Sequence, residues 1–209
     1  MIGMHRHQPF AAALLAVLCT QTSLAGMVTV NVTSTSGGSA ADTVIVFDPL
    51  DATPPAGHGE AIIDQINKTF VPLVTVVRTG TVVTFPNSDH IRHQVYSFSP
   101  AKTFTLKLYA ASPKTPITFD RAGLVVLGCN IHDTMVAFVG VVDTPYFAKT
   151  ADSGTTALDL PAGRYRLRAW HPYAAAIAPR EIAVTAAPLS VPVAIDVDRN
   201  SATLAAWPE

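Results

Sequence analysis

Apolar and polar residues alternate with a period of two along much of this chain, the spacing of strands with one buried face. Val28, Val30 and Val32 alternate with polar neighbours over 27–32, and 43–47 is a compact β-branched run. Further strands are predicted at 73–77, 81–85, 94–98, 104–109, 117–119, 124–129 and 136–142. Turn residues separate them, among them Arg78-Thr-Gly80 and Pro86-Asn-Ser-Asp89. In 164–170 the alternation is complete: Tyr165, Leu167 and Ala169 should face a core, and Arg164, Arg166 and Arg168 solvent. Strands at 147–150, 156–160, 180–185 and 190–197 belong to this later section. Sixteen prolines argue against long helices. Only 57–67 is ambiguous, a short helix or a strand. The pattern predicts an all-β protein, a sandwich or barrel, with a second section beginning near Asp143-Thr-Pro145. The expected division is 26–143 and 144–209, the latter a small β-sandwich or extra strands on the first unit.

The first 25 residues read as a cleaved secretory signal. His5, Arg6 and His7 precede an apolar run from Phe10 to Cys19, and Ser23-Leu-Ala25 offers small residues before Gly26. Cys19 raises a lipid-modified terminus, which the bulk of Leu18 disfavours. Without the leader, 13 basic residues face 15 acidic ones, a balance that points away from nucleic acid and anionic membrane surfaces. No later apolar stretch is long enough to span a membrane, so a periplasmic product is expected.

Cysteine usage then narrows the chemistry. Once the leader is gone Cys129 is the only cysteine, so it has no internal disulfide partner. In an oxidising compartment a lone thiol is exposed to oxidation unless it is buried and inert, or occupied by a metal. Cys129-Asn-Ile-His132-Asp-Thr-Met135 brings a thiolate, an imidazole and a thioether into one short segment after a β-rich run. Two His and one Cys in a plane, with a long axial bond to Met, is the donor set of an electron-transfer copper site. His93 is placed to supply the second imidazole, with His90 as its alternative. Strand parity puts the Cys129 thiol on the side of Val125 and Leu127, away from water. Zinc accepts the same Cys and His donors, but the thioether of Met135 favours copper.

With these residues in view, the chain resembles the cupredoxins of the plastocyanin and amicyanin type. The match rests on Pro86-Asn-Ser-Asp89, His93 and Cys129-x-x-His132-x-x-Met135. It is more closely similar to periplasmic methylamine-utilisation or plastocyanin-like proteins, which carry a Cys-Asn-Ile-His motif followed by a Thr-Pro-Tyr-Phe-Ala segment. The resemblance spans roughly 28–172. It implies a cupredoxin-like Greek-key β-sandwich followed by a small Ig-like, carboxypeptidase-regulatory-like β-sandwich. It also implies one type 1 copper ion held by His93, Cys129, His132 and Met135, with His132 as the electron exit. Gln94 stands where the family has Asn, and Ile131 and Asp133 flank His132 where a proline is often found. Both departures bear on potential and loop rigidity.

The function expected is that of a periplasmic one-electron carrier between protein redox partners, a cytochrome or a dehydrogenase. An enzyme is not expected: a second copper cluster needs further histidines, and only His58, His90 and His171 are spare and they are scattered, with His58 read as a surface or loop residue and His171, between Trp170 and Pro172 at a strand end, as structural. A Cys129–His132 nucleophile pair is disfavoured by the adjacent Met. Two alternatives stay open, a scaffold or binding module with a degenerate copper site and a periplasmic copper-handling protein.

Overall fold

The computed structural model describes residues 25–37, 39–111, 115–199 and 206–208. The expected leader, Cys19 included, lies outside the described residues apart from Ala25. Seventeen strands and no helix are found among the described residues, so the chain is all-β as expected.

Two strands come first, β1 (Ala25–Ser34) and β2 (Val44–Pro49). Five short ones follow: β3 (Glu60–Ile62), β4 (Asp64–Ile66), β5 (Thr69–Val71), β6 (Val74–Arg78) and β7 (Thr81–Thr84). Then come β8 (His93–Ser99), β9 (Lys102–Tyr109), β10 (Ile117–Phe119), β11 (Gly123–Gly128) and β12 (Val136–Val142). The later section holds β13 (Phe147–Lys149), β14 (Thr155–Pro161), β15 (Gly163–Trp170), β16 (Arg180–Val184) and β17 (Leu189–Ile195). Within the ambiguous stretch 57–67, residues 60–62 and 64–66 are therefore strand, and no helix forms. Ile63 and Gln65 are buried while Ile62 and Ile66 are exposed, a period of two and not of 3.6.

Strands β3 to β12 build one sandwich. A five-stranded sheet in the order β6-β12-β11-β8-β9 lies against a three-stranded sheet β10-β7-β3. From β9 the chain leaves the first sheet, adds β10 to the second and returns as β11 beside β8, a Greek-key crossing. The core between them contains Val83, Phe85 and Phe119 from one sheet and Val95, Val125, Leu127 and Val139 from the other.

The second sandwich is not confined to the later section. Strand β1 pairs with β14 on one side and, in parallel, with β17 on the other. Strand β2 sits between β13 and β15. Val28, Val30, Val32, Ile45 and Phe47 thus share a core with Leu160, Tyr165, Leu167 and Ala169. The expected boundary at 143/144 is corrected in this respect: residues 25–49 belong with 147–195, and the other sandwich is inserted between them. Parallel pairing of β1 with β17 leaves no local sign, because neither strand's pattern names a partner 161 residues away.

The two sandwiches share a third cluster. Val44 and Val46 of β2 and Trp170 of β15 pack on Val74, Phe138 and Val142 of the larger sheet. Strand β2 is therefore covered on both faces, which explains why 44–47 is an unbroken apolar run and does not alternate. Trp207 packs against Trp170, tilted at 54° with ring centroids 5.4 Å apart, and fills the space where a side chain at Gly140 would sit. That tail also changes the fate of Arg168. Expected outward, it is only 9% exposed, donates to both carboxylate oxygens of Asp48 (2.5 and 3.0 Å), and donates to the Pro208 carbonyl (2.6 Å).

His171, expected as a structural residue at a strand end, is buried at 1% exposure. Its Nδ1 accepts the Tyr173 N–H at 3.2 Å, which only an imidazole unprotonated at that atom can do. Burial holds its pKa below the ordinary histidine value; the Arg199 cation adds to this, while Asp42 and a backbone bond with Ala41 oppose it. Because the folded pKa lies below the unfolded one, the unfolded chain takes up the proton first. This contribution is complete above the unfolded value of about 6.5 and declines as pH falls toward the folded one. The melting temperature should therefore drop between about pH 7.5 and pH 5, and drop less in His171→Gln. Parallel pH profiles for the two proteins would contradict this account.

Candidate metal centre

The residues of interest lie at one end of the larger sheet. His93 opens β8, and His93, Val95 and Ser97 are all fully buried on one face of it. Cys129 follows β11 directly and continues the buried row of Val125 and Leu127, as strand parity predicted. Met135 immediately precedes β12 and is 1% exposed. Because β11 and β12 pair antiparallel up to Gly128 and Val136, the loop 129–135 must close over a narrow gap. The Met135 N–H tightens it further by donating to the His132 carbonyl at 2.9 Å.

The loop brings three donors together. The ligating atoms of His93, Cys129 and His132 all lie within 4.8 Å of one another. Cys129 Sγ is 3.8 Å from His93 Nδ1, and the two imidazole centroids are 5.2 Å apart at 57°. Sulfur and nitrogen donors bind a common ion at roughly 2.3 and 2.0 Å, which at a trigonal angle sets them about 3.8 Å apart. The observed separation matches that spacing. His132 Nδ1 is buried and has no hydrogen-bond partner among the described residues, a polar ring nitrogen left unsatisfied inside the protein. Met135 shares the apolar cluster of Cys129, so a thioether stands in the same core as the thiol. His90 and His58 are exposed and belong to no such group among the described residues; His93 and not His90 faces the thiol.

Around this set the structure adds residues whose part is not apparent from the strand and ligand pattern. Asp89 accepts at 2.7 Å from His93 Nε2. Burial alone would raise its pKa, but bonds from the Lys68 N–H, His93 and the Asn67 N–H outweigh that and hold it below the usual carboxylate value. Asn87 ties the His-bearing loop, donating through Nδ2 to the carbonyls of Ile91 (2.9 Å) and Tyr109 (3.0 Å). Beside His93 the β8–β9 register shifts by one residue, so that His93 pairs with Tyr109. This bulge turns Tyr109 toward the core and leaves Leu108 46% exposed. The Tyr109 hydroxyl donates to the Phe85 carbonyl (2.7 Å) and accepts from Gln65 Nε2 (2.5 Å). Burial, reinforced by Asp64 and Cys129 against the Gln65 bond, pushes this phenol up to about 12, so it stays a neutral donor. Asp and Asn in a turn just before a candidate ligand were visible in the sequence, but a turn reading accounts for both without any contact to His93.

Neither a protein-family model nor a curated relative matches the chain. Among solved structures it is similar to a Cu-containing nitrite reductase from Thermus scotoductus SA-01, with 24% identity and a TM-score of 0.37. That match covers 39% of this chain and 22% of the reductase, so the chain spans about a fifth of its length. A purple cupredoxin from Nitrosopumilus maritimus aligns at 22% identity and TM-score 0.35, over 39% of this chain and 98% of that one. A pseudoazurin from Hyphomicrobium denitrificans aligns at 26% identity and TM-score 0.34, over 39% and 74%. These are partial likenesses, and what the centre can hold is read from its own side chains.

Proposed function

We propose that this chain is an exported type 1 copper protein that carries single electrons between protein partners and is not itself an enzyme. The observation that carries the proposal is the convergence of His93, Cys129 and His132 around an unpartnered buried Nδ1, with Met135 in the same core. When bound there, copper supplies a one-electron couple between its +2 and +1 states. Thiolate and thioether suit the reduced ion and imidazole the oxidised one, so a mixed set serves both without exchanging ligands.

The chain's part is to keep that set still. His93 opens a strand, and Cys129 and Met135 flank the two ends of one antiparallel pair, so the sheet fixes where the backbones of all three sit. Buried walls exclude water from the sulfur. His132 is the least buried of the three and lies beside Ile131, which is 51% exposed, so it offers the shortest way out for an electron. Apolar exposure of this kind suits brief docking with a partner such as a cytochrome or dehydrogenase. No helix among the described residues is long and apolar enough to cross a membrane. An expected periplasmic location remains part of the proposal.

Titration of the purified full chain with Cu(II) tests it. The expected product is intensely blue through thiolate-to-copper charge transfer, with narrow copper hyperfine splitting in its EPR spectrum. A colourless chain that still binds Cu(I) would mark a copper-handling protein, and one that binds neither ion a scaffold module.

A further inference from the structure

We infer that Asp89 is a positioning residue: it fixes which nitrogen of His93 is presented to the centre and ties that choice to the β4–β5 turn. Asp89 lies four residues before His93, with Oδ2 at 2.7 Å from Nε2. The same carboxylate accepts two backbone N–H groups, Asn67 on Oδ1 at 2.6 Å and Lys68 on Oδ2 at 2.9 Å. Asn67 and Lys68 both adopt left-handed backbone (φ 52° and 60°), the conformation of a two-residue hairpin turn between β4 and β5. Asp89 itself is held from behind, since its N–H donates to Asn87 Oδ1 at 3.0 Å. Its side chain is 12% exposed and that of His93 is fully buried, so solvent does little to screen the pair.

The geometry leaves one arrangement. A neutral imidazole carries one N–H and one lone pair. With the lone pair on Nε2, two acceptors would face each other at 2.7 Å. With the proton there, Nε2 donates to Asp89 and the lone pair sits on Nδ1, the atom 3.8 Å from the Cys129 sulfur. A carboxylate behind a ligating histidine sets its tautomer and raises its basicity. Here it also receives the hairpin turn, so the orientation of His93 depends on β4–β5 being in place. The inference rests on the proposed copper reading only for what Nδ1 is offered to; the tautomer belongs to the metal-free chain.

Nitrogen-15 NMR of the metal-free full chain, at a pH where His93 is neutral, reads the tautomer directly. The expected result is a single Nε2–H form in the wild type. In Asp89→Asn one acceptor oxygen must serve three donors, and in Asp89→Ala none remains, so both variants should lose the single form. Their Cu(II) affinity should fall by about tenfold to a hundredfold. A wild-type proton on Nδ1 would overturn the inference, as would variants that keep both the wild-type tautomer and affinity. Should the wild type take up no copper while its tautomer still depends on Asp89, the copper reading fails and the role of Asp89 stands. If Asp89→Ala does not fold, Asp89→Asn and the wild-type spectrum decide.

Discussion

Cys129→Ser should give a chain that folds but no longer turns blue with Cu(II). The colour requires charge transfer from a thiolate, and the serine hydroxyl stays protonated and is a harder donor. Loss of an outer contact to a metal ligand already costs about tenfold to a hundredfold in affinity, so loss of the thiolate should cost Cu(I) binding more than that. The fold has less at stake. Cys129 is 3% exposed, and serine is close to it in size, so the penalty is that of a buried hydroxyl, about 1–3 kcal/mol if unpaired. His93 Nδ1, facing position 129, offers that hydroxyl an acceptor and should reduce the cost. Visible absorption, Cu(I) competition titration and far-UV circular dichroism on the same sample separate the two effects. A blue Cys129→Ser protein would remove the copper proposal altogether.

Much of this centre is legible in the sequence, for a physical reason. Strand parity is local: once Val125 and Leu127 are assigned to a core, Cys129 must follow them, and it does. The antiparallel turn forces His132 and Met135 to stay near. Donor chemistry does not separate His93 from His90, since both are imidazoles; placement along the chain favours His93, and the structure buries His93 and exposes His90. Asp89 escaped because its role is set by a bond across the loop to His93 and by the β4–β5 hairpin, neither of which leaves a period in the sequence. The fold divides the same way. Strands were readable from alternation, and Tyr165, Leu167 and Ala169 are buried as expected. Arg168 broke the rule because Asp48 and the Pro208 carbonyl pair it beneath the 206–208 tail. The assignment of β1 and β2 to the later strands depends on pairings more than 100 residues apart, on which local pattern is silent.

Phe138→Ala should be the most destabilising single change at the junction of the two sandwiches, and it should leave the metal centre alone. Phe138 is 1% exposed and packs edge-on to Trp170 (5.8 Å) and Tyr173 (6.2 Å), both from the later section. Truncating a buried Phe costs about 3–5 kcal/mol, because the cavity collapses only in part. In a chain of this size each kcal/mol moves the melting temperature by about 2–4 °C, so a fall on the order of 6–20 °C is expected. The centre is spared by the pleat of β12. Met135, Ala137, Val139 and Val141 face the core that holds Cys129, whereas Phe138 and Val142 face the other sandwich. Copper absorption of the folded variant should therefore match the wild type, while circular dichroism reports the earlier melt. A variant that melts normally but changes colour would mean that β12 transmits its outer packing to the ligands, and that the two faces of this strand are not independent.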